Sequence, residues 1–357
     1  MRTDKNYSFI FHQDALKQAL PTIKEVQGLK EDASIDLKTP TNDSATKLRH
    51  YYGCLLGLAV GDALGTTLEF KQPGTFKPIK DIVGGGPFKL LPGQWTDDTS
   101  MALCLAESLI ESKGFNPKDQ LEKYLKWYEE GYLSSTGKCF DIGNTTISAL
   151  LEFKETQQPY CSSPNSTPSN GSLMRLAPIP MLYHNAPVEA IEKAKQSSLT
   201  THGAKESIDA CRYLAGLIVG AIDGVSKDEL LSDHYAPAKD IWEKDPLIDT
   251  VDKIASGSFK HKEPPYIRGT GLAVESLEAA LWAFYKASSF AEGALLAVNL
   301  GDDADTTGAI YGQLAGAFYG VEGIPTEWLN KLCKKDLIES LALEIYKTTF
   351  SENNNLN

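Results

Sequence analysis

The chain has 357 residues, 42% of them hydrophobic and 23% charged, which excludes a disordered or collagen-like polymer. Its 47 acidic against 35 basic residues leave a net charge of -12, the wrong sign for a broad nucleic-acid footprint or a polybasic membrane patch. No apolar run reaches the roughly 18–20 residues of a membrane span, and the first residues lack the apolar stretch of a secretory signal.

Residues 1–48 are polar and broken by Pro21, Pro40 and a Thr-Asn-Asp-Ser cluster. One amphipathic stretch, Asp14 to Val26, carries Leu16, Leu20 and Ile23 at helical spacing. The segment reads as an arm ahead of the main domain: a partly ordered tail, or an arm that binds a partner. The main domain is expected over 49–348, with a disordered tail at 349–357.

From Leu48 onward the hydrophobic period is 3.6, not 2. Gly57, Gly61 and Gly65 recur every fourth residue, a signal for close helix packing. Asn116 caps a helix with Pro117 at its first position, and Leu121 with Leu125 and Tyr124 with Tyr128 follow at i,i+4. The loop from Thr156 to Asn170 holds three prolines and reads as a surface insertion. Helices are expected over Pro187–Leu199, Gly203–Gly224, Gly271–Ser288, Ala304–Tyr319 and Lys335–Tyr346. No run alternates convincingly as a strand. The expected fold is all-α, one domain of helices buried on more than one side. Six scattered cysteines without a C-x-x-C pair read as reduced thiols of a cytoplasmic protein.

Two acidic clusters each open an apolar helix: Thr96-Asp97-Asp98-Thr99, and Asp302-Asp303-Ala304-Asp305-Thr306. No Lys or Arg stands between Lys89 and Lys113, or between Lys286 and Lys331, so neither cluster has a local cation. One Asp at a helix start is an ordinary cap. Successive carboxylates exceed what a cap uses, and burying them unpaired is costly unless they are protonated, paired at long range or metal-bound. Side chains at i and i+1 diverge by ~100° on a helix, so these acids would share an ion only at a helix mouth or by serving two ions. A carboxylate and hydroxyl donor set favours a hard cation such as Mg²⁺ or Mn²⁺.

Asp62 sits in an apolar setting as either a cap partner or a helper to a ligand, and Glu69 ends the same apolar stretch. Asp141-Ile-Gly143-Asn144 and Asn170-Gly171-Ser172-Leu-Met174-Arg175 combine Gly with Asn or Ser at helix starts, where backbone N–H groups suit phosphate. Turns use the same residues. His202 is a core or capping histidine, or a substrate contact.

In order and spacing, these segments together resemble the ADP-ribosylglycohydrolase family from about Tyr51 to Leu332. The resemblance implies an all-α orthogonal multi-helix bundle and two Mg²⁺ or Mn²⁺ ions. It implies a metal-dependent hydrolase that removes ADP-ribose from a modified protein side chain, foremost arginine, by cutting the N-glycosidic bond at the distal ribose. On this resemblance Thr96, Asp97, Asp98, Asp303, Asp305 and Thr306 are the metal ligands. Glu69, Asp98 and Asp303 serve catalysis. Asp141, Gly143 and Asn144 face the ribose or scissile side, Asn170, Gly171, Ser172 and Met174 form a phosphate-facing loop, and His202 lies near the ligand. The complete ligand set argues against the family's non-enzymatic crystallin branch. The chain departs from the family pattern at Asp302, where Gly is common, and at Leu272, where many members stack an aromatic on adenine. Some relatives that give immunity against ADP-ribosylating toxins carry an N-terminal arm. On that comparison residues 1–48 would bind an ADP-ribosyltransferase toxin, and the alternative function is sequestration of that toxin.

Overall fold

The computed structural model describes residues 42–161 and 167–351. The stretch from Asp14 to Val26 and most of the expected arm lie outside the described residues, as do part of the Pro-rich loop and the chain's last six residues. Among the described residues there are fifteen α-helices and no sheet, only two isolated bridges, Gly85 with Leu90 and Ser169 with Leu272. No helix there is long and apolar enough to cross a membrane.

Local sequence explains some of the helix ends. Asn116 accepts hydrogen bonds from the Lys118 and Asp119 N–H groups at 3.2 Å, Pro117 follows it, and Gly131 closes the helix in the left-handed region at φ 71°. The expected helices at Pro187–Leu199 and Ala304–Tyr319 have those bounds. Two others are shorter than expected, Lys205–Ile222 and Ala273–Lys286. The last helix, Lys335–Ser351, runs past its expected end. The first, Asn42–Gly65, begins upstream of the expected domain start at 49.

The packing that positions the site is a backbone contact between two antiparallel helices, Asn42–Gly65 and Ala304–Tyr319. Gly53, Gly57 and Gly61 face Gly316, Gly312 and Gly308 in turn, and a Cβ on any of the six would run into the carbonyl opposite. Gly65 meets the backbone of Ala304 and Asp305 in the same way. The four-residue glycine repeat thus has a matching repeat on its partner, and the two helices approach as closely as backbones allow. Around this pair the main core gathers the helices Lys205–Ile222 and Ala273–Lys286, both buried along nearly their whole length. A smaller cluster of Met101, Cys104, Leu121, Tyr124, Trp127, Leu150, Phe153 and Met174 joins the helices Asp97–Glu111, Pro117–Glu130 and Asn144–Thr156.

Candidate active site

The glycine contact sets the start of the Ala304–Tyr319 helix beside the end of the Asn42–Gly65 helix, and the site lies there. Asp62, on the latter, reaches across to the Asp97–Glu111 helix. Its carboxylate accepts the Thr96 N–H at 2.9 Å, the Thr96 hydroxyl at 3.0 Å, the Thr99 N–H at 3.1 Å and the Thr99 hydroxyl at 2.6 Å. Thr96, the N-cap position, makes no side-chain cap of its own. Asp62 therefore caps this helix from a different one, and its cap-partner reading is the one the structure supports directly.

Behind the same helix pair the chain passes through Glu69 and Phe70. The Phe70 N–H donates to the Asp302 carbonyl at 2.7 Å and the Asp302 N–H to the Lys71 carbonyl at 2.8 Å. Phe70 and Asp302 both sit at positive φ, 59° and 53°, so each segment turns sharply where the two meet. This pairing brings Glu69 next to the second acidic cluster.

The carboxylates converge. Asp62, Asp98 and Asp305 each offer an oxygen within 4.8 Å of the others, and so do Glu69, Asp141 and Asp305. The Thr96 hydroxyl lies 3.0 Å from Asp98 and 3.3 Å from Asp305, besides its contact with Asp62. It has one proton to share among three carboxylates. Asp98 Oδ1 and Glu69 Oε2 are buried without a hydrogen-bond partner. Burial, then the charge of neighbouring carboxylates, drives Asp97, Asp98 and Asp305 well above the usual carboxylate range. The same causes push Glu69 up to about 10, with Asp141 and Asp303 its largest sources of repulsion. Burial likewise raises Asp141 to about 8 and Asp62 to about 6. Two carboxylate triads meeting at Asp305, with orphaned oxygens and no lysine or arginine among them, fit the hard-cation donor set. The acidic groups could hold divalent ions.

Above the acids opens a cleft of about 640 Å³. Glu69, Asp97, Asp303 and Thr306 are in its wall, as are Asp141, Gly143, Asn144, Asn170, Gly171, Met174 and His202. Thr96, Asp98 and Asp305 lie buried beside these, outside the wall itself. Asn170 links the two sides: its amide donates to Asp303 Oδ2 at 2.7 Å. Ser172 is not brought to the cleft. Its hydroxyl lies 2.8 Å from that of Ser198 and accepts the Cys211 thiol at 3.4 Å, because on this tight turn it points back toward the Pro187–Leu199 helix. Asp302 forms an ion pair at 3.6 Å with Arg268, the one lysine or arginine in the cleft wall among the described residues.

Sequence reasoning missed Thr99, Phe70 and Arg268. Thr99 had a usable signal, a second hydroxyl one turn into a helix that starts on acids. Phe70, 71% exposed at the cleft rim, and Arg268 had none, since their place depends on contacts between distant segments.

The family model described as ADP-ribosylglycohydrolase matches residues 43–355. A protein of Serratia proteamaculans (strain 568) named ADP-ribosylarginine hydrolase Tri1 is 40% identical over 336 residues, spanning 93% of this chain and 88% of its own length. A protein of the same name from Pseudomonas putida (strain GB-1) is 43% identical over 296 residues, 82% of this chain and 77% of its own. The ADP-ribosyl-(dinitrogen reductase) glycohydrolase of Rhodospirillum rubrum is 30% identical over 290 residues, 79% of this chain and 90% of its own. A solved structure titled ADP-ribosylglycohydrolase-related protein complex superposes with a TM-score of 0.76 at 43% identity, covering 86% of this chain and all of that one. With an all-helical frame, a carboxylate floor and matches of this extent, the chain belongs to the ADP-ribosylglycohydrolase family and is a hydrolase of ADP-ribosyl groups.

Proposed function

We propose that this hydrolase releases ADP-ribose from arginine side chains of modified proteins, cutting the N-glycosidic bond at the distal ribose, with two Mg²⁺ or Mn²⁺ ions at the acidic floor. The observation that carries the reading is the pair of carboxylate triads meeting at Asp305, beside a cleft also lined by Asn170, Gly171 and His202. Two relatives at 40% and 43% identity bear names specifying the arginine linkage, which supports that choice over serine. We assign the ions to Thr96, Asp97, Asp98, Asp303, Asp305 and Thr306, with Asp62 holding Thr96 in place. When bound, divalent ions supply charge stabilisation and activation of water. We place the reaction in the cytoplasm, in keeping with six free cysteines.

The chain's own groups account for the rest. Breaking the glycosidic bond builds positive charge on the sugar, and carboxylates fixed beside the cleft favour that charge. Asp97, Asp141 and Asp303 are the wall acids available for it. In the ion-free protein, burial and the neighbouring carboxylates favour the protonated form of Glu69, which is hydrogen-bonded to Asp141. That pair is our candidate for handling the proton of the departing guanidine nitrogen. Gly143 and Asn144 are assigned to the sugar, and Asn170, Gly171, Met174 and His202 to the diphosphate side.

The test is a linkage panel. ADP-ribosylarginine, ADP-ribosylserine and a free ADP-ribosyl nucleotide are incubated with Mg²⁺, with Mn²⁺ and with EDTA. Release from the arginine conjugate alone, abolished by EDTA, is the expected result. Faster release from serine, or turnover indifferent to EDTA, overturns the assignment.

A further inference from the structure

Arg175 is fully buried and has no carboxylate within ion-pair distance among the described residues. Its guanidinium lies over the Tyr124 ring, 4.7 Å from the centroid, and its Nε has no partner. A cation held this way is expensive unless it does something a neutral side chain could not. Two hydrogen bonds indicate what. Nη1 donates to the Gly171 carbonyl at 2.8 Å, and Nη2 donates to the Thr201 hydroxyl at 2.8 Å.

The second bond has a consequence for His202. Thr201 Oγ1 lies 2.7 Å from His202 Nδ1. Arginine only donates, so it occupies a lone pair of the Thr201 oxygen and leaves the hydroxyl proton to find another acceptor. His202 Nδ1 is that acceptor, which puts the imidazole proton on Nε2. Nε2 and Cε1 form the edge of the ring that lies against Gly171: a Cβ there would come within 2.8 Å of both. Both Gly171 and His202 line the cleft. Burial, and then the Arg175 charge, hold the imidazole down to about 3, so it stays neutral throughout the working range.

We infer that Arg175 is a positioning residue for the diphosphate end of the cleft: it clamps the Gly171 turn directly and, through Thr201, fixes His202 as an Nε2–H donor to the anionic part of the ligand. The inference rests on the proposed ADP-ribosyl substrate. It gives the cleft two electrostatic ends. Carboxylates make up one, and at the other a buried, unneutralised cation lies one hydrogen bond behind the wall, where a diphosphate would be drawn.

The experiment compares Thr201→Val, Arg175→Gln and Arg175→Lys with the parent. Thr201→Val replaces the hydroxyl with a methyl group of the same shape, so it carries the test if Arg175→Gln does not fold. Calorimetric titration with ADP-ribose, which needs no turnover, is expected to show affinity reduced about tenfold or more in Thr201→Val and Arg175→Gln, with partial recovery in Arg175→Lys. Nitrogen NMR of the His202 ring is expected to show the Nε2–H tautomer in the parent and a mixture in Thr201→Val. With ADP-ribosylarginine the loss should fall on KM more than on kcat. A parent ring protonated on Nδ1, or ADP-ribose affinity within twofold of the parent in folded Thr201→Val, overturns the inference. Failure of the parent to hydrolyse ADP-ribosylarginine would instead overturn the functional reading, and the titration would still decide this one.

Discussion

Asp62 accepts the Thr99 hydroxyl at 2.6 Å across 37 residues of chain, and so fixes the start of one helix from the flank of another. The arrangement uses both carboxylate oxygens, each taking donors from Thr96 or Thr99. Asparagine cannot replace it, because its amide nitrogen would face a buried donor. Asp62→Asn should therefore cost about 1–3 kcal/mol of stability. It should also weaken ion binding by about 10–100-fold, as loss of an outer partner of a metal site typically does. Denaturant unfolding and a divalent-ion titration measure the two. An unchanged ion affinity would mean that Asp62 only holds the helix.

The glycine contact makes a separable prediction. Gly61→Ala and Gly53→Ala both drive a methyl group into a carbonyl of the opposing helix. Each should cost about 1–3 kcal/mol or more, the usual penalty of overpacking. Gly61 neighbours Asp62, whereas Gly53 lies more than two turns further back. At a temperature where both variants are folded, only Gly61→Ala should lose most of its activity. Equal losses would show that the contact supports the fold without setting the spacing of the acids.

Much of this was legible in sequence because it was local. Asn116 and Pro117 announced a helix start, the spacing of Leu and Ala gave the helical class, and acids without a nearby cation marked both segments whose carboxylates converge. The glycine repeat was read correctly as packing, yet its partner repeat at Gly308, Gly312 and Gly316 went unmatched. One-dimensional spacing does not say which helix will be met. The same gap hid the meeting of Glu69 with Asp141 and the tie from Asn170 to Asp303, both made between segments far apart in the chain. Ser172 shows the converse. Its neighbours on the same turn reach the cleft, and a one-residue step turned it toward Ser198.

Asp98 should respond to neutralisation in opposite directions for stability and activity. Its Oδ1 is buried without a partner and its charge is opposed by Asp62, Asp303 and Asp141. Asp98→Asn removes that repulsion while keeping the shape. At about pH 8.5 without divalent ions, the variant should melt at or above the parent temperature. Its hydrolase activity should fall by more than about a hundredfold, because several kcal/mol of charge stabilisation goes with the ion. A variant that is both less stable without ions and still active would remove Asp98 from the ligand set.

The pH dependence of the ion-free protein follows from the same crowding. Burial first, and neighbouring carboxylates second, raise Glu69 from its ordinary 4.5 to about 10 and Asp141 from 3.8 to about 8; burial raises Asp62 from 3.8 to about 6. Folded carboxyls thus bind protons more tightly than unfolded ones. Their favourable contribution is complete below the unfolded values near 4, and it is lost as pH rises through the folded values. The decline should span roughly pH 4 to 8 for Asp141 and continue to about 10 for Glu69. Divalent ions compete with these protons, so their binding releases protons and tightens as pH rises. In chelator the melting temperature should fall between about pH 5 and pH 9, and the rise produced by saturating Mg²⁺ should grow over the same interval. Were the acids instead held apart or paired with cations, their folded values would lie at or below the ordinary range. Stability in chelator would then hold steady or climb with pH, and Mg²⁺ would have few protons to displace.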